Sequence, residues 1–207
     1  MSERIDASPD CCAGGSHPPS SPHGTPACCS AVWFVSAGAV GLLYALDQAT
    51  KLWTAGLDVP WLPKLEQHLP LGGHFAVIPN YFDWVHFSNT GAAFGVMQDS
   101  NKFFIGLSIA AVCGLGWALK KTIFPGRLNF VALLLLLSGV LGNFTDRLVH
   151  GYVVDFLFFD LGFAPFNPWP AFNVADSCIC VAVALLLTSS FLEAKEAREA
   201  ARREKGA

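Results

Sequence analysis

Four apolar runs, each close to the length that crosses a bilayer, constrain this chain more than any other feature of its sequence. The first begins at Ala31 and continues through Phe34, Val40, Leu42, Leu43 and Tyr44 to Trp53, interrupted by Asp47 and Lys51. The second runs from Phe103 to Leu119 without a charge, the third from Leu128 to Val149 around the stretch Leu133 to Leu137, and the fourth from Phe172 to Leu192. At 1.5 Å rise per residue the first reaches about 34 Å, against a hydrocarbon core about 30 Å thick. The chain is 53% hydrophobic and only 14% charged. An ordinary soluble domain carries about 25% charged residues, so a water-soluble fold of this size would lack the polar side chains to cover itself. The expected fold class is a membrane all-α protein with four transmembrane helices in one domain over residues 31–192.

Basic residues orient the bundle, because cytoplasmic loops near span ends carry an excess of Lys and Arg. Lys120, Lys121 and Arg127 lie between spans two and three, and Lys195, Arg198, Arg202, Arg203 and Lys205 follow span four. Both termini are therefore expected in the cytoplasm. Residues 54–101 and 150–171 then fall outside. The first segment is too long for a connector. Its stretch from Phe75 to Ser88 is rich in aromatic and branched residues around Pro79 and Asn80, which predicts a small β-structure roofing the spans. The second contains Gly151, Pro165, Pro168 and Pro170, which suits an irregular return loop.

Residues 1–30 are rich in Ser, Pro, Gly and Cys and are expected to be a disordered cytoplasmic tail. Its adjacent cysteine pairs, Cys11–Cys12 and Cys28–Cys29, lack the gap of usual zinc sites, so no metal is expected there. No disulfide framework is implied. The late start of the first run, and its ending in charge, argue against a cleaved signal peptide. Residues 193–207 pair charges at helical spacing, Glu199 with Arg203 for example, and should extend span four as a solvated helix. The net charge of −3, with basic residues in short clusters, gives no face for nucleic acid.

Ionisable side chains inside spans are costly and suggest function. Asp47 lies about 24 Å from the cytoplasmic end of its run, and Asn143 and Asp146 about 22 and 27 Å along theirs. Asp176 lies about 6 Å below the outer surface. All reach one layer near the outer leaflet. Asn143-Phe-Thr-Asp146 and Asn173-Val-Ala-Asp176 repeat one pattern whose spacing puts an amide and a carboxylate on one helical face. Asp155, in Tyr152-Val-Val-Asp-Phe156, sits just past span three, with enough return loop to meet Asp176.

Two close carboxylates activate water for amide hydrolysis. They cannot both ionise, so one keeps a proton while the other serves as base. Asp146 is followed by Arg147, which would hold it ionised in an ion pair or a substrate-orienting role. Asp155 is flanked by Val154 and Phe156, and Asp176 by Ala175 and Ser177, with no basic neighbour in sequence. The local charge pattern selects Asp155 and Asp176 as the working pair.

Four blocks then resemble the lipoprotein signal peptidases, the signal peptidase II family of bacterial inner-membrane aspartyl peptidases. They are Asp47-Gln-Ala-Thr-Lys51; Asn89-Thr-Gly-Ala-Ala-Phe-Gly95; Gly142-Asn-Phe-Thr-Asp-Arg147 continued by Gly151-Tyr-Val-Val-Asp-Phe156; and Phe172-Asn-Val-Ala-Asp176. The resemblance implies a roof made of a small extracytoplasmic β-cradle and an extended loop. It places the family's catalytic pair on Asp155 and Asp176. The implied substrate is a diacylglyceryl-modified prolipoprotein, cut immediately before the lipidated cysteine. Asn89 and Gly91 would lie near the bound backbone, and Asn143, Asn173 and Arg147 would orient the pair. Asp47, Lys51, Asp146 and Ala175 complete the supporting set. The protein is expected as a monomer of the inner membrane, in contact with membrane lipids, with its active site near the outer leaflet.

Each supporting residue also has a bland reading. Asp47 and Lys51 at helical spacing could be an interfacial anchor, Asn89 a turn cap before Gly91, and the six tryptophans mostly an aromatic belt. Other protease chemistries find no His-Glu-x-x-His, no Gly-x-Ser-Gly and no His paired with a span cysteine. Cofactors are not expected. A carrier would place its carboxylates nearer the midplane, and a non-enzymatic lipid-binding module would leave the four blocks without a shared purpose.

Overall fold

A computed structural model describes residues 27–55, 69–91, 96–121, 123–163 and 169–205. The tail to residue 26 and the stretch 56–68 of the first outer segment lie outside the described residues. Helix α1 spans Ala27–Ala55, β1 His74–Ile78, β2 Phe82–Asn89, α2 Asn101–Lys121, α3 Arg127–Val149, β3 Val153–Phe159 and α4 Val174–Lys205. Among the described residues, α2, α3 and α4 are long and apolar enough to cross a membrane. Their outward faces carry large apolar side chains such as Leu107, Ile109, Val181 and Leu187, the surface that lipid rather than water would cover.

Helix α1 starts earlier than the sequence reading expected, at Ala27 rather than after residue 30. No Gly or Pro stands between Ala27 and Trp33, and adding a residue to an existing helix costs far less than starting one. Helix α3 is central, packing against α1, α2 and α4. It approaches α4 closely at Gly139 and Gly142. A Cβ on Gly139 would collide with the Ala175 carbonyl, and one on Gly142 would stand 3.0 Å from Ala175 Cβ. At the opposite end, Asn129 Nδ2 donates to Glu193 Oε1 (3.3 Å) and ties α3 to α4.

The roof is a three-stranded antiparallel sheet in the order β1-β2-β3. Strands β1 and β2 form a hairpin closed by Tyr81 N–H on Ile78 O at 3.1 Å. Pro79 and Asn80 (φ 59°) occupy its corner, as a turn with a left-handed third residue requires. The second outer segment is not wholly irregular: Val153–Phe159 is the third strand. Gly151, at φ 82°, turns the chain from the end of α3 into it. Phe172 adds one more rung, exchanging backbone bonds with Leu157 at 2.9 and 3.0 Å. The fourth apolar run therefore begins as sheet, and α4 starts at Val174. Two tryptophans expected in an aromatic belt instead tie the roof to α1. Trp84 lies edge-on to Trp53 at 4.8 Å and donates through Nε1 to Thr54 Oγ1 at 2.8 Å.

Candidate active site

Asp155 sits on β3 and is 3% exposed. Strand β2 carries a bulge between Trp84 and Phe87, after which Phe87 faces Asp155 and Asn89 faces Val153. Asn89 is then the diagonal neighbour of Asp155 on the same face of the sheet, and its Nδ2 donates to Asp155 Oδ2 at 3.0 Å. The Phe172 rung brings the next residue, Asn173, to the other carboxylate oxygen. Asn173 Nδ2 donates to Asp155 Oδ1 at 2.7 Å. Burial, then the nearby charge of Asp176, push the Asp155 carboxyl up to about 7, against the opposing effect of its two amide donors and Lys51.

Asp176 is the third residue of α4 and half-buried. Its N–H donates to Asn173 Oδ1 at 2.9 Å, while its own Oδ2 accepts from Asn173 N–H at 3.3 Å. This is a capping box at the helix start. The sequence reading placed Asn173 and Asp176 on one helical face; the structure assigns Asn173 to the cap before the helix. The matching Asn143 and Asp146 lie inside α3. Asn143 Nδ2 donates to Asp176 Oδ1 at 2.7 Å, and Asn173 Nδ2 stands 3.3 Å from Asn143 Oδ1. Two asparagines thus link the two aspartates.

Beneath them Lys51 bonds Asp47 Oδ2 at 2.8 Å and Asp146 Oδ2 at 2.9 Å, all three side chains being almost fully buried. Arg147 is not the cation of Asp146. Successive helical residues point about 100° apart and do not face each other, so Arg147 turns away, donating to Gly91 O at 2.7 Å and stacking over Phe104 at 4.4 Å. Nor is Asp47–Lys51 a surface anchor. Asp47 Oδ1 accepts the Ala175 N–H at 2.8 Å, satisfying a free donor in the first turn of α4. Asp146 Oδ2 also accepts Val154 N–H at 3.1 Å and so fixes the strand one residue before Asp155.

Gly91 N–H donates to Asn89 Oδ1 at 3.0 Å, which orients that amide. A Cβ on Gly91 would lie 2.5 Å from Val96 O, so only glycine fits. All the residues singled out from the sequence belong to one bonded network. Other members were given no role from the sequence, Gln48 and Gly142 among them. Gln48 Nε2 reaches Asp47 Oδ2 (3.2 Å), Gly142 O (3.2 Å) and Asp146 Oδ1 (3.1 Å). Gly142 leaves room for Asp47, since a Cβ there would stand 2.5 Å from Asp47 Oδ2. Both stand inside the blocks that carry the resemblance, Gln48 in Asp47-Gln-Ala-Thr-Lys51 and Gly142 at the head of Gly142-Asn-Phe-Thr-Asp-Arg147, and that was the available signal.

The family model for signal peptidase II matches residues 33–192. The chain belongs to the signal peptidase II family. A lipoprotein signal peptidase from Syntrophotalea carbinolica is 42% identical over 153 residues, covering 72% of this chain and 86% of that one. One from Psychromonas ingrahamii is 37% identical over 161 residues, covering 76% and 84%. A bacterial membrane enzyme solved by the in meso method at 2.3 Å superposes with a TM-score of 0.67 and 28% identity, over 78% of this chain and 90% of its own. A second, at 1.9 Å, gives 0.61 and 30%, over 75% and 91%. The signal peptidase II match includes every residue of the network just described.

Proposed function

We propose that this chain is an aspartyl endopeptidase of the bacterial membrane that removes signal peptides from diacylglyceryl-modified prolipoproteins. It cuts immediately before the lipidated cysteine, with Asp155 and Asp176 as its catalytic pair. One observation carries the choice of pair. Of the four carboxylates in the network, Asp47 and Asp146 share the Lys51 ammonium, whereas Asp155 and Asp176 have only amide and backbone N–H donors among the described residues.

Carboxylates neutralised by a buried cation are poor bases, and those held by neutral donors remain free to exchange a proton. An Asp155 carboxyl near 7 is protonated about half the time at neutral pH, and that is the state that reacts. Asp176 then takes a proton from water as the oxygen attacks the scissile carbonyl. Asp155 donates to the developing oxyanion and afterwards to the leaving nitrogen. The asparagine bridge holds both groups in place before substrate arrives, so little reorganisation accompanies reaction.

The remaining architecture follows from the same reading. Helix α1, 29 residues long and thus about 44 Å, is the fourth span, burying Asp47 and Lys51 against α3 and α4. Lys120, Lys121 and Arg127 lie at the opposite end of the bundle from Asp155, and the excess of basic residues there supports reading both termini as cytoplasmic and the pair as near the outer leaflet. Residues 31–192 are the peptidase domain, residues 193–207 a cytoplasmic helix, and the enzyme acts as a monomer among membrane lipids. The test is cleavage of a lipidated precursor by Asp155→Asn and Asp176→Asn. Each should accumulate in the membrane and be inactive; wild-type cleavage by either would overturn the pair.

A further inference from the structure

The Lys51 ammonium has three N–H bonds to give. Two go to carboxylates; the third goes to Asn143 Oδ1 at 3.0 Å. The first two are ordinary for a buried lysine, which must be paired. The third has a different consequence, because an asparagine amide accepts on one side and donates on the other. An ammonium only donates, so it can hold only the oxygen. Asn173 Nδ2 approaches the same oxygen at 3.3 Å. With Oδ1 held, Asn143 Nδ2 faces Asp176 Oδ1 at 2.7 Å. Turned over, the amide would set its NH2 against the ammonium and the Asn173 NH2, and its oxygen against the Asp176 carboxylate. Every one of those contacts is repulsive.

We infer that Lys51 is a positioning residue for the aspartate pair: acting through Asn143, its ammonium fixes an N–H donor on Asp176 and so the direction in which that carboxylate faces the water. The lysine lies one residue beyond the pair and needs no contact with substrate. This rests on the reading of Asp155 and Asp176 as the catalytic pair, and the two ideas fail separately. An active Asp176→Asn enzyme sinks the pair; the outcomes below, with Asp176→Asn inactive, bear on Lys51 alone.

The experiment is a double-mutant cycle on a synthetic diacylglyceryl-modified precursor peptide, using Lys51→Met, Asn143→Ala and the double variant. Misplacing a catalytic group costs about 10²-fold in rate, so each single variant should lose about 10²-fold in kcat, with KM changed less than twofold. Because both act through one amide, the double variant should also lose about 10²-fold. A loss near 10⁴-fold, the product of the two, would show independent action and overturn the inference. So would a rise in KM at unchanged kcat. If Lys51→Met fails to accumulate, the cycle is run with Asp146→Asn as reference and Lys51→Met/Asp146→Asn in place of Lys51→Met, which keeps the charge of the Asp47, Lys51 and Asp146 set at its native −1. The same non-additivity with Asn143→Ala supports the inference, and multiplicative losses overturn it.

Discussion

The carboxylate of Asp47 accepts the backbone N–H of Ala175 at 2.8 Å, so a side chain of the first helix completes the first turn of the last. Losing Asp47 leaves Lys51 still paired with Asp146 at 2.9 Å, and the main cost is an unpaired buried N–H, about 1–3 kcal/mol. Losing Lys51 instead leaves two buried carboxylates without a cation, worth about 3–5 kcal/mol. Thermal unfolding in detergent should therefore rank Lys51→Met well below Asp47→Ala, and Asp47→Ala below wild type. The reverse order would mean that the cap matters more than the charge.

Gly142→Ala should be harmful although alanine is the better helix former. Its Cβ would stand 2.5 Å from Asp47 Oδ2, and overpacking of this kind costs about 1–3 kcal/mol. Gly106→Ala, where nothing lies within 4 Å, is the control and should gain up to about 1 kcal/mol. Melting temperatures that move the same way in both variants would contradict the close approach of Asp47 on α1 to Gly142 on α3.

Arg147→Lys should be far from conservative. A lysine keeps the charge but not the planar group that lies over Phe104 while donating to Gly91 O. Loosening the Gly91 backbone beside Asn89 should lower kcat/KM by about tenfold, the equivalent of roughly 1.4 kcal/mol. Phe104→Leu, which removes only the stacking face, should lose less. Equal losses would show that the stacking carries the whole effect.

The Asp155 carboxyl near 7 gives stability and activity defined pH dependences. Its ordinary value is 3.8, so between about pH 4 and 7 the folded protein keeps a proton that the unfolded chain has released. Stability therefore falls as pH rises through that window and levels off above it. This contribution should be missing from Asp155→Asn when melting temperature is followed against pH. Activity should decline on the alkaline side with an apparent limb near pH 7, as the pair loses its shared proton. A rate that is flat from pH 6 to 9 would exclude Asp155 as the proton donor.

Three of the bilayer-length runs, now α2, α3 and α4, were legible because span length is set by membrane thickness, and the hairpin because Pro79 and Asn80 punctuate a β-rich stretch. Strand β3 was hidden by its own burial. Val153 to Phe156 are all buried, so the stretch lacks the alternation that betrays a half-exposed strand. Cross-helix partners were equally out of reach. Asp146 pairs with Lys51, distant in sequence, while its neighbour Arg147 points elsewhere, because helix rotation and packing decide which side chains meet. Asn143 with Asp146 and Asn173 with Asp176 show the same limit. One spacing serves a helix interior in the first case and a helix cap in the second, and only the Phe172 rung distinguishes them.

That rung has a consequence for the segment it closes. Phe172 is bonded to Leu157 at one end of the return loop, and Trp169 N–H donates to Phe159 O at 3.1 Å just inside it. The ends of the excursion are thus riveted together independently of what lies between. Lengthening a loop that is already closed costs only about 0.6 kcal/mol per doubling. The exposed Gly162–Phe163 corner should therefore accept a short reporter peptide with Asp155 and Asp176 undisturbed. Labelling such a graft from outside intact cells would then report which side of the membrane the sheet end of the bundle faces.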